Sequence, residues 1–265
     1  MPFVQDGREL ITRAFRKGFA LPAFNFCSLE MARGCVEAAS ALNAPIILQT
    51  YQADLAFASP KVMVAMVKAL AEESGVPIML HLDHGLGLEM AQTCLQAGYS
   101  SVMLDGGGLE FAELVRQTKV LAQIAHETGA SLEVSAERFN KGESEPSNFE
   151  EALALFEAGA DMVACSVGSE HGQSSRLDLP RLETIASLTK APLVLHGGSG
   201  IAETDLIAAS KLGVVKVNIG SASYRALLKV WQERSSVLNN HRAVYTEARE
   251  AVSREAAHFI KLLGH

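Results

Sequence analysis

Trp and Tyr are scarce in this 265-residue chain, with one Trp and four Tyr, and aromatic residues make up 6% in all. No run of Lys and Arg stands out, and Asp plus Glu exceed Lys plus Arg by 30 to 23, a formal charge of −7 at pH 7. These absences exclude the basic stripe and stacking platforms of a nucleic-acid binder. They leave an anionic small molecule open, because a local site can oppose the global sign. No apolar run approaches the roughly 18 to 20 residues of a membrane helix, so no membrane partner is expected. Residues 1–16 mix Asp6, Arg8, Glu9, Arg13 and Arg16 among apolar ones and hold no signal-peptide core. Cysteine is sparse too. Cys27, Cys35, Cys94 and Cys165 show neither CxxC spacing nor the density of a disulfide scaffold, which suits free buried thiols in the reducing cytoplasm.

What is present is ordinary for a globular chain: 48% hydrophobic and 20% charged residues. Eight short apolar runs, at 21–26, 45–50, 77–82, 100–105, 130–135, 161–167, 192–196 and 214–219, start 22 to 32 residues apart. That spacing fits one strand, one helix and two loops per unit. The segments 30–42, 60–74, 88–97, 111–128, 148–158, 179–189 and 203–212 repeat apolar residues every three or four positions and read as helices. Asn43, Gly75, Gly98, Gly129, Gly159 and Gly213 follow them where a left-handed cap is favoured. Ser59 and Pro60 supply an N-cap and a first-turn proline. Strands that are nearly all apolar imply burial on both faces of a parallel sheet. No GxGxxG turn follows the first strand, which disfavours an open dinucleotide-binding sheet. The pattern predicts an α/β chain, a single (β/α)8 TIM barrel over residues 1–265, with about two extra C-terminal helices over 222–263.

In such a barrel the chemistry sits on the loops at the C-terminal strand ends. Those ends are polar here. They carry Asn25; His81, Asp83 and His84; Asp105 before three glycines; Glu133 and Ser135; Glu170, His171 and Gly172; His196, Gly197, Gly198 and Ser199; and Asn218, Ile219, Gly220 and Ser221. His84, His171 and His196 therefore share one rim, and three neutral imidazoles with an open fourth position suit a catalytic zinc. Asp83, adjacent to His84, suits a general acid/base, the alternative being a carboxylate that orients a histidine. The glycine-rich segments after the seventh and eighth strands suit a phosphate held by loop amides and a helix N-terminus.

These residues resemble the class II, zinc-dependent ketose-bisphosphate aldolases, the family of fructose- and tagatose-bisphosphate aldolases. The resemblance runs from Ala23, Phe24 and Asn25 through residues 44–49, the His81, Leu82, Asp83, His84 motif and residues 101–106 to residues 196–200. It implies one Zn2+ per subunit on His84, His171 and His196, with Asp83 as proton donor and acceptor. It further implies that Gly172, Gly197, Gly198, Ser199, Asn218, Ile219, Gly220 and Ser221 hold the dihydroxyacetone phosphate part of the substrate, with Asn25 beside them. The C-terminal extension leads to the expectation of a homodimer or homotetramer, and a monovalent cation is left open.

The departures fall on the sugar side. The family's fifth strand usually reads Val, Glu, Ala, Glu, Leu, Gly, whereas Leu132, Glu133, Val134, Ser135, Ala136 and Glu137 stand here, so Ser135 replaces the second glutamate. Alternation places Glu133, Ser135 and Glu137 on one side, where Glu137 is a candidate to replace the lost carboxylate. Asp105 is a further accessory candidate. Arg249 and Arg254, in a stretch like the family's Ala-Arg-Glu-Ala helix, are candidates for the far anionic group, across a subunit boundary. The expected reaction is cleavage of a ketose 1-phosphate, a 1,6-bisphosphate or a 6-sulfo analogue to dihydroxyacetone phosphate and an aldehyde. The rival readings are a non-catalytic sugar-phosphate-binding subunit and a metal-assisted hydrolase.

Overall fold

Alternation along eight parallel strands sorts the side chains into a shell facing the helices and a shell facing the barrel axis. The computed structural model describes residues 2–135, 139–140, 143–144, 147, 149–169, 173–234 and 240–264. Its strands are β1 (Leu21–Asn25), β2 (Ile46–Tyr51), β3 (Ile78–Asp83), β4 (Ser101–Asp105), β5 (Ser131–Ser135), β6 (Met162–Ala164), β7 (Leu193–Leu195) and β8 (Val214–Ile219). Each pairs in parallel with the next, and β8 closes the ring on β1 with Leu21 opposite Lys216 and Phe24 opposite Ile219. A small antiparallel pair, Phe139–Asn140 with Glu143–Ser144, stands outside the ring.

The crossover helices are α2 (Leu29–Leu42), α3 (Pro60–Ser74), α4 (Gly87–Ala97), α5 (Phe111–Glu127), α6 (Phe149–Glu157), α7 (Leu179–Thr189) and α8 (Glu203–Ser210), followed by α9 (Ser221–Arg234) and α10 (His241–Leu262). This is the barrel with extra C-terminal helices that the spacing predicts. The sixth and seventh strands are shorter than the runs 161–167 and 192–196, so His196 stands just beyond β7. Among the described residues no helix is long and apolar enough to cross a membrane. Asn43, Gly75 and Gly98 end their helices with left-handed backbones. Ser59 does stand at the N-cap of α3, but its carbonyl receives the Val62 and Met63 amides and its hydroxyl makes no cap bond.

A helix before β1, α1 (Gly7–Lys17), was not anticipated from the sequence pattern. Asp6 caps it by accepting the Glu9 amide at 3.0 Å, and Gly18 ends it at φ 68°. Its Leu10, Ile11 and Ala14 join Leu21, Ala23, Ile47, Met79, Met162, Ala164 and Val194 in one apolar cluster. α1 thus seals the N-terminal mouth of the barrel. Alternate residues on the same strands, such as Phe24, Leu48, Leu80, Leu104 and Val134, belong instead to the larger core under the helices.

Further along the axis the inward positions change from apolar to polar: Gln49, His81, Ser101, Ser131, Glu133 and Lys216 are all fully buried. Buried charge persists only when paired. Lys216 Nζ lies 2.8 Å from Glu133 Oε2, and His196 Nε2 lies 2.9 Å from Glu133 Oε1. Burial opposes ionisation of Glu133, but Lys216 first, then the His196 hydrogen bond and the nearby imidazoles, hold its carboxyl well below the usual range. Ser131 donates to Ser101 Oγ at 2.8 Å, and the Ser101 hydroxyl pairs in turn with His81 Nδ1 at 2.7 Å. The other ring nitrogen, His81 Nε2, faces Glu133 Oε2 at 3.5 Å. Burial, reinforced by Lys216, pushes the His81 imidazole down to about 3.

α2 and α10 press together at Gly34, where an added Cβ would lie 2.6 Å from the Arg249 carbonyl oxygen and 3.1 Å from Val252 Cβ. Gly34→Ala therefore forces the helices apart and is expected to cost about 1 to 3 kcal/mol, read as a lowered Tm in thermal unfolding. A second expectation follows from His81. Its folded pKa lies below the roughly 6.5 of an unfolded histidine, so the unfolded chain binds an extra proton between those values. Stability should fall as pH drops from about 6.5 toward about 3, with a slope approaching one proton, ~1.4 kcal/mol per pH unit. In urea unfolding of the metal-free protein, His81→Gln should flatten that slope; an unchanged slope would assign the proton uptake to another group.

Candidate active site

The polar inward residues continue upward into a cavity of about 370 Å³ at the C-terminal mouth, lined by Asn25, Tyr51, Asp83, His84, Gly197, Ser199, Asn218, Gly220 and Ser221. β3 delivers Asp83 as its last, inward-facing residue. The chain then turns sharply. His84 adopts φ 49°, a left-handed conformation that costs a β-carbon-bearing residue of order 1 kcal/mol. Gly85 follows where an added Cβ would meet the Met103 carbonyl oxygen at 2.5 Å. The turn swings the His84 ring over the cavity, edge-on to Tyr51 with centroids 6.0 Å apart and 4.8 Å from the His196 ring.

Each imidazole is tied to a carboxylate on one nitrogen. His84 Nδ1 meets Asp105 Oδ2 at 2.8 Å, and His196 Nε2 meets Glu133 Oε1 at 2.9 Å. Such carboxylates fix tautomer and ring direction and so aim the second nitrogen. Ligand atoms offered by Asp83, His84 and His196 all lie within 4.8 Å of one another. Two oriented imidazoles and a carboxylate form a donor set that fits a divalent transition metal. His171, the third histidine of the sequence reading, lies outside the described residues, as do Gly172 and Glu137.

Asp83 is gripped at both oxygens: Asn25 Nδ2 donates to Oδ2 at 2.8 Å and Asn218 Nδ2 to Oδ1 at 2.9 Å. Burial raises the cost of its charge, but His84, Lys216, His196 and the Asn25 bond outweigh it and hold the carboxyl below its ordinary range. The same balance holds Asp105 low: burial opposes, while the His84 bond and the Gly107 amide, which donates at 2.9 Å, favour the anion.

Opposite Asp83, the two glycine loops and a helix end form a cradle. Gly197 has φ 70°. A Cβ on Gly198 would lie 2.8 Å from the Asn218 carbonyl oxygen, and one on Gly220 would lie 2.9 Å from Asn25 Oδ1. The glycines thus let two backbones and the Asn25 side chain crowd into one wall. α9 starts at Ser221, and its Ala222 amide donates to Ser199 Oγ at 3.2 Å. A helix N-terminus with hydroxyls beside it favours an anion through amide donors that formal charge does not count. Ile219 contributes only backbone, its buried side chain belonging to the core under the helices.

The remaining accessory candidates separate. Asp105 and Glu133 hold the two imidazoles. Within the chain the C-terminal arginines lie elsewhere: Arg249 pairs with Glu37 of α2 at 3.2 Å, and Arg254 lines a groove with Ile207, His258 and Lys261. The sequence reading missed Tyr51, whose position at the end of β2 was the available signal. Tyr51 is held from below by Asp54, which accepts its backbone amide at 2.8 Å and the Tyr224 hydroxyl at 3.4 Å. Arg225 was missed as well; one turn into α9, it donates back to Ser221 Oγ at 2.9 Å.

Comparison with known proteins agrees with this geometry. The family model described as class-II fructose-bisphosphate aldolase matches residues 5–265. A fructose-bisphosphate aldolase of Mycoplasma genitalium is 37% identical over 216 residues, covering 77% of this chain and 75% of the relative. One from Streptococcus pyogenes serotype M1 is 35% identical over 247 residues, 87% of this chain and 81% of the relative. Among solved structures, the YdjI aldolase of Escherichia coli K12 superposes with a TM-score of 0.88 at 27% identity, over 99% of this chain and 97% of that one. The sealed barrel, the histidine pair beside Asp83 and a family match across nearly the whole length lead to one conclusion: the chain belongs to the class-II fructose-bisphosphate aldolases, a family of metal-dependent lyases.

Proposed function

We propose that the protein cleaves a phosphorylated ketose reversibly to dihydroxyacetone phosphate and an aldehyde, using Zn2+ held by His84, His171 and His196. The observation that carries this reading is the placement of Asp83. Its doubly held carboxylate lies with its Oδ1 3.9 Å from His84 Nε2, in the same cavity as the glycine and Ser221 cradle. Bound zinc supplies Lewis-acid stabilisation of negative charge beside the substrate carbonyl.

The chain's own residues do the rest. The amides and hydroxyls of Gly197, Ser199, Gly220 and Ser221, with Gly172, hold the phosphate and so place the C3–C4 bond over Asp83, while Gly198 shapes the wall by donating its amide to the Asn218 carbonyl at 2.9 Å. Asp83 accepts the proton of the C4 hydroxyl as that bond breaks. The C4 oxygen becomes the aldehyde, and the bond's electron pair stays on the three-carbon fragment, which takes up a proton at C3. Asn25 and Asn218 keep the Asp83 carboxylate facing the reacting carbons. No lysine is needed as a covalent nucleophile, and Lys216 is already committed to Glu133 and Asn218.

The aldehyde half is the open part of the reading. Ser135 stands where the family carries a second glutamate, and Arg249 and Arg254 could serve a far anion only across an interface of a homodimer or homotetramer. Ketose 1-phosphates, 1,6-bisphosphates and 6-sulfo analogues are therefore all candidate substrates. The cytoplasm is the proposed location, in keeping with four free cysteines.

The test is a panel of these ketoses with zinc-replete protein, followed by coupled reduction of released triose phosphate. Turnover of at least one is expected; release of no triose phosphate from any of them would overturn the reading. Chelation should abolish turnover and added Zn2+ restore it. Asp83→Ala should lower kcat by about 10² to 10⁴. Binding without turnover would mark a sugar-phosphate-binding subunit instead, and solvent oxygen in the product would mark a hydrolase.

A further inference from the structure

A carboxylate's plane is not set by its own torsion, because the rotation about its last bond is broad. Asp83 is therefore only as well placed as the two amides that hold it. An asparagine amide presents ends of nearly equal size, and what lies behind it decides which end faces forward. Behind Asn25 stands Gln49, whose Nε2 donates to Asn25 Oδ1 at 2.9 Å. Behind Asn218 stands Lys216, whose Nζ donates to Asn218 Oδ1. A lysine ammonium has donors and no acceptor, so it can receive only the carbonyl end and turns the NH2 end toward Asp83.

We propose that Gln49 and Lys216 are positioning residues for Asp83, each gripping from inside the barrel the carbonyl end of the asparagine that holds one carboxylate oxygen. The inference rests on the reading of Asp83 as the acid/base. Both residues are fully buried and neither lines the cavity, so both act through the asparagines without touching a ligand. Strand register puts them there: Gln49 lies opposite Asn25 across the β1–β2 pair, and Lys216 lies two residues before Asn218 on the same face of β8. Lys216 has a second task. Through Glu133 it also steadies His196, so one ammonium fixes both the acid/base and an imidazole of the proposed metal site. Rigid support of this kind keeps reacting groups in productive geometry.

The test uses the full-length, zinc-loaded protein and two variants. Gln49→Met keeps length and removes the donor. Lys216→Met is combined with Glu133→Gln so that no unpaired carboxylate is left in the core. Side-chain amide exchange by ¹⁵N NMR is read together with steady-state kinetics. In the wild type the Asn25 and Asn218 NH2 groups should exchange slowly. Gln49→Met should speed exchange at Asn25 and spare Asn218, and the double variant should do the reverse. For Gln49→Met, kcat should fall about tenfold or more while KM moves less than about threefold, the pattern of a lost transition-state interaction. Unchanged protection of Asn25 in Gln49→Met, or loss at both asparagines together, would overturn the proposal even if the double variant failed to fold. The two readings fail separately: a wild type that turns over no ketose sinks the proposed function, while the exchange pattern still decides the positioning.

Discussion

The buried pair of Glu133 and Lys216 is the constraint on which the upper half of the barrel depends. Neither charge reaches water. Each is tolerated because the other is there, and removing one partner of such a pair typically costs about 3 to 5 kcal/mol. A hydrophobic pair would fill the same volume without that liability, so stability alone does not account for it. What the pair provides is direction. Glu133 points at His196 and Lys216 points at Asn218, so the His196 imidazole and, through Asn218, the Asp83 carboxylate are both held from one ion pair.

A gradient of polarity along the barrel axis makes this possible. Leu21, Ala23, Ile47 and Met79, with α1 beneath them, form a dry floor. Gln49, His81, Ser101, Ser131, Glu133 and Lys216 form a buried polar middle, tied by the Ser131–Ser101–His81 chain and the Glu133–Lys216 pair. Asn25, Asp83, Asp105 and Asn218 form the wet top. On β3 the inward side passes through all three zones within a few residues, from Met79 through His81 to Asp83. The floor supplies the packing that fixes register, and the middle converts register into side-chain orientation.

Much of this was legible in the sequence. Eight apolar runs at barrel spacing gave the ring, and the polar residues at their ends gave the cavity, including Asn25, Asp83, His84 and Asn218, with His196 buried beside it. The part that was not legible is relational. Alternation shows that Glu133 and Ser135 share a side, but it does not reveal that Lys216, on a distant strand, comes within 2.8 Å of Glu133, since that depends on the relative phase of strands joined only by ring closure. Asp105 was visible as a polar residue at a strand end and could not be assigned to His84 for the same reason. α1 was overlooked because it precedes the first strand and so falls outside the repeating strand–helix units, although Leu10, Ile11 and Ala14 formed its apolar stripe and Asp6, Glu9 and Gly18 marked its ends. Arg249 read as a substrate residue because it sits in a family-like stretch, yet within the chain its partner is Glu37.

Ring closure also has a consequence for synthesis of the chain. β1 waits for β8, the last strand to leave the ribosome, before its second edge is paired. Until then Glu133 has no ammonium and Asp83 has only one of its two amides. A nascent chain lacking β8 therefore has an open edge and an uncompensated acidic interior, and it resembles neither a smaller enzyme nor a weaker one. Ring closure thus delivers the Lys216 ammonium to Glu133 and the second amide, that of Asn218, to Asp83 together.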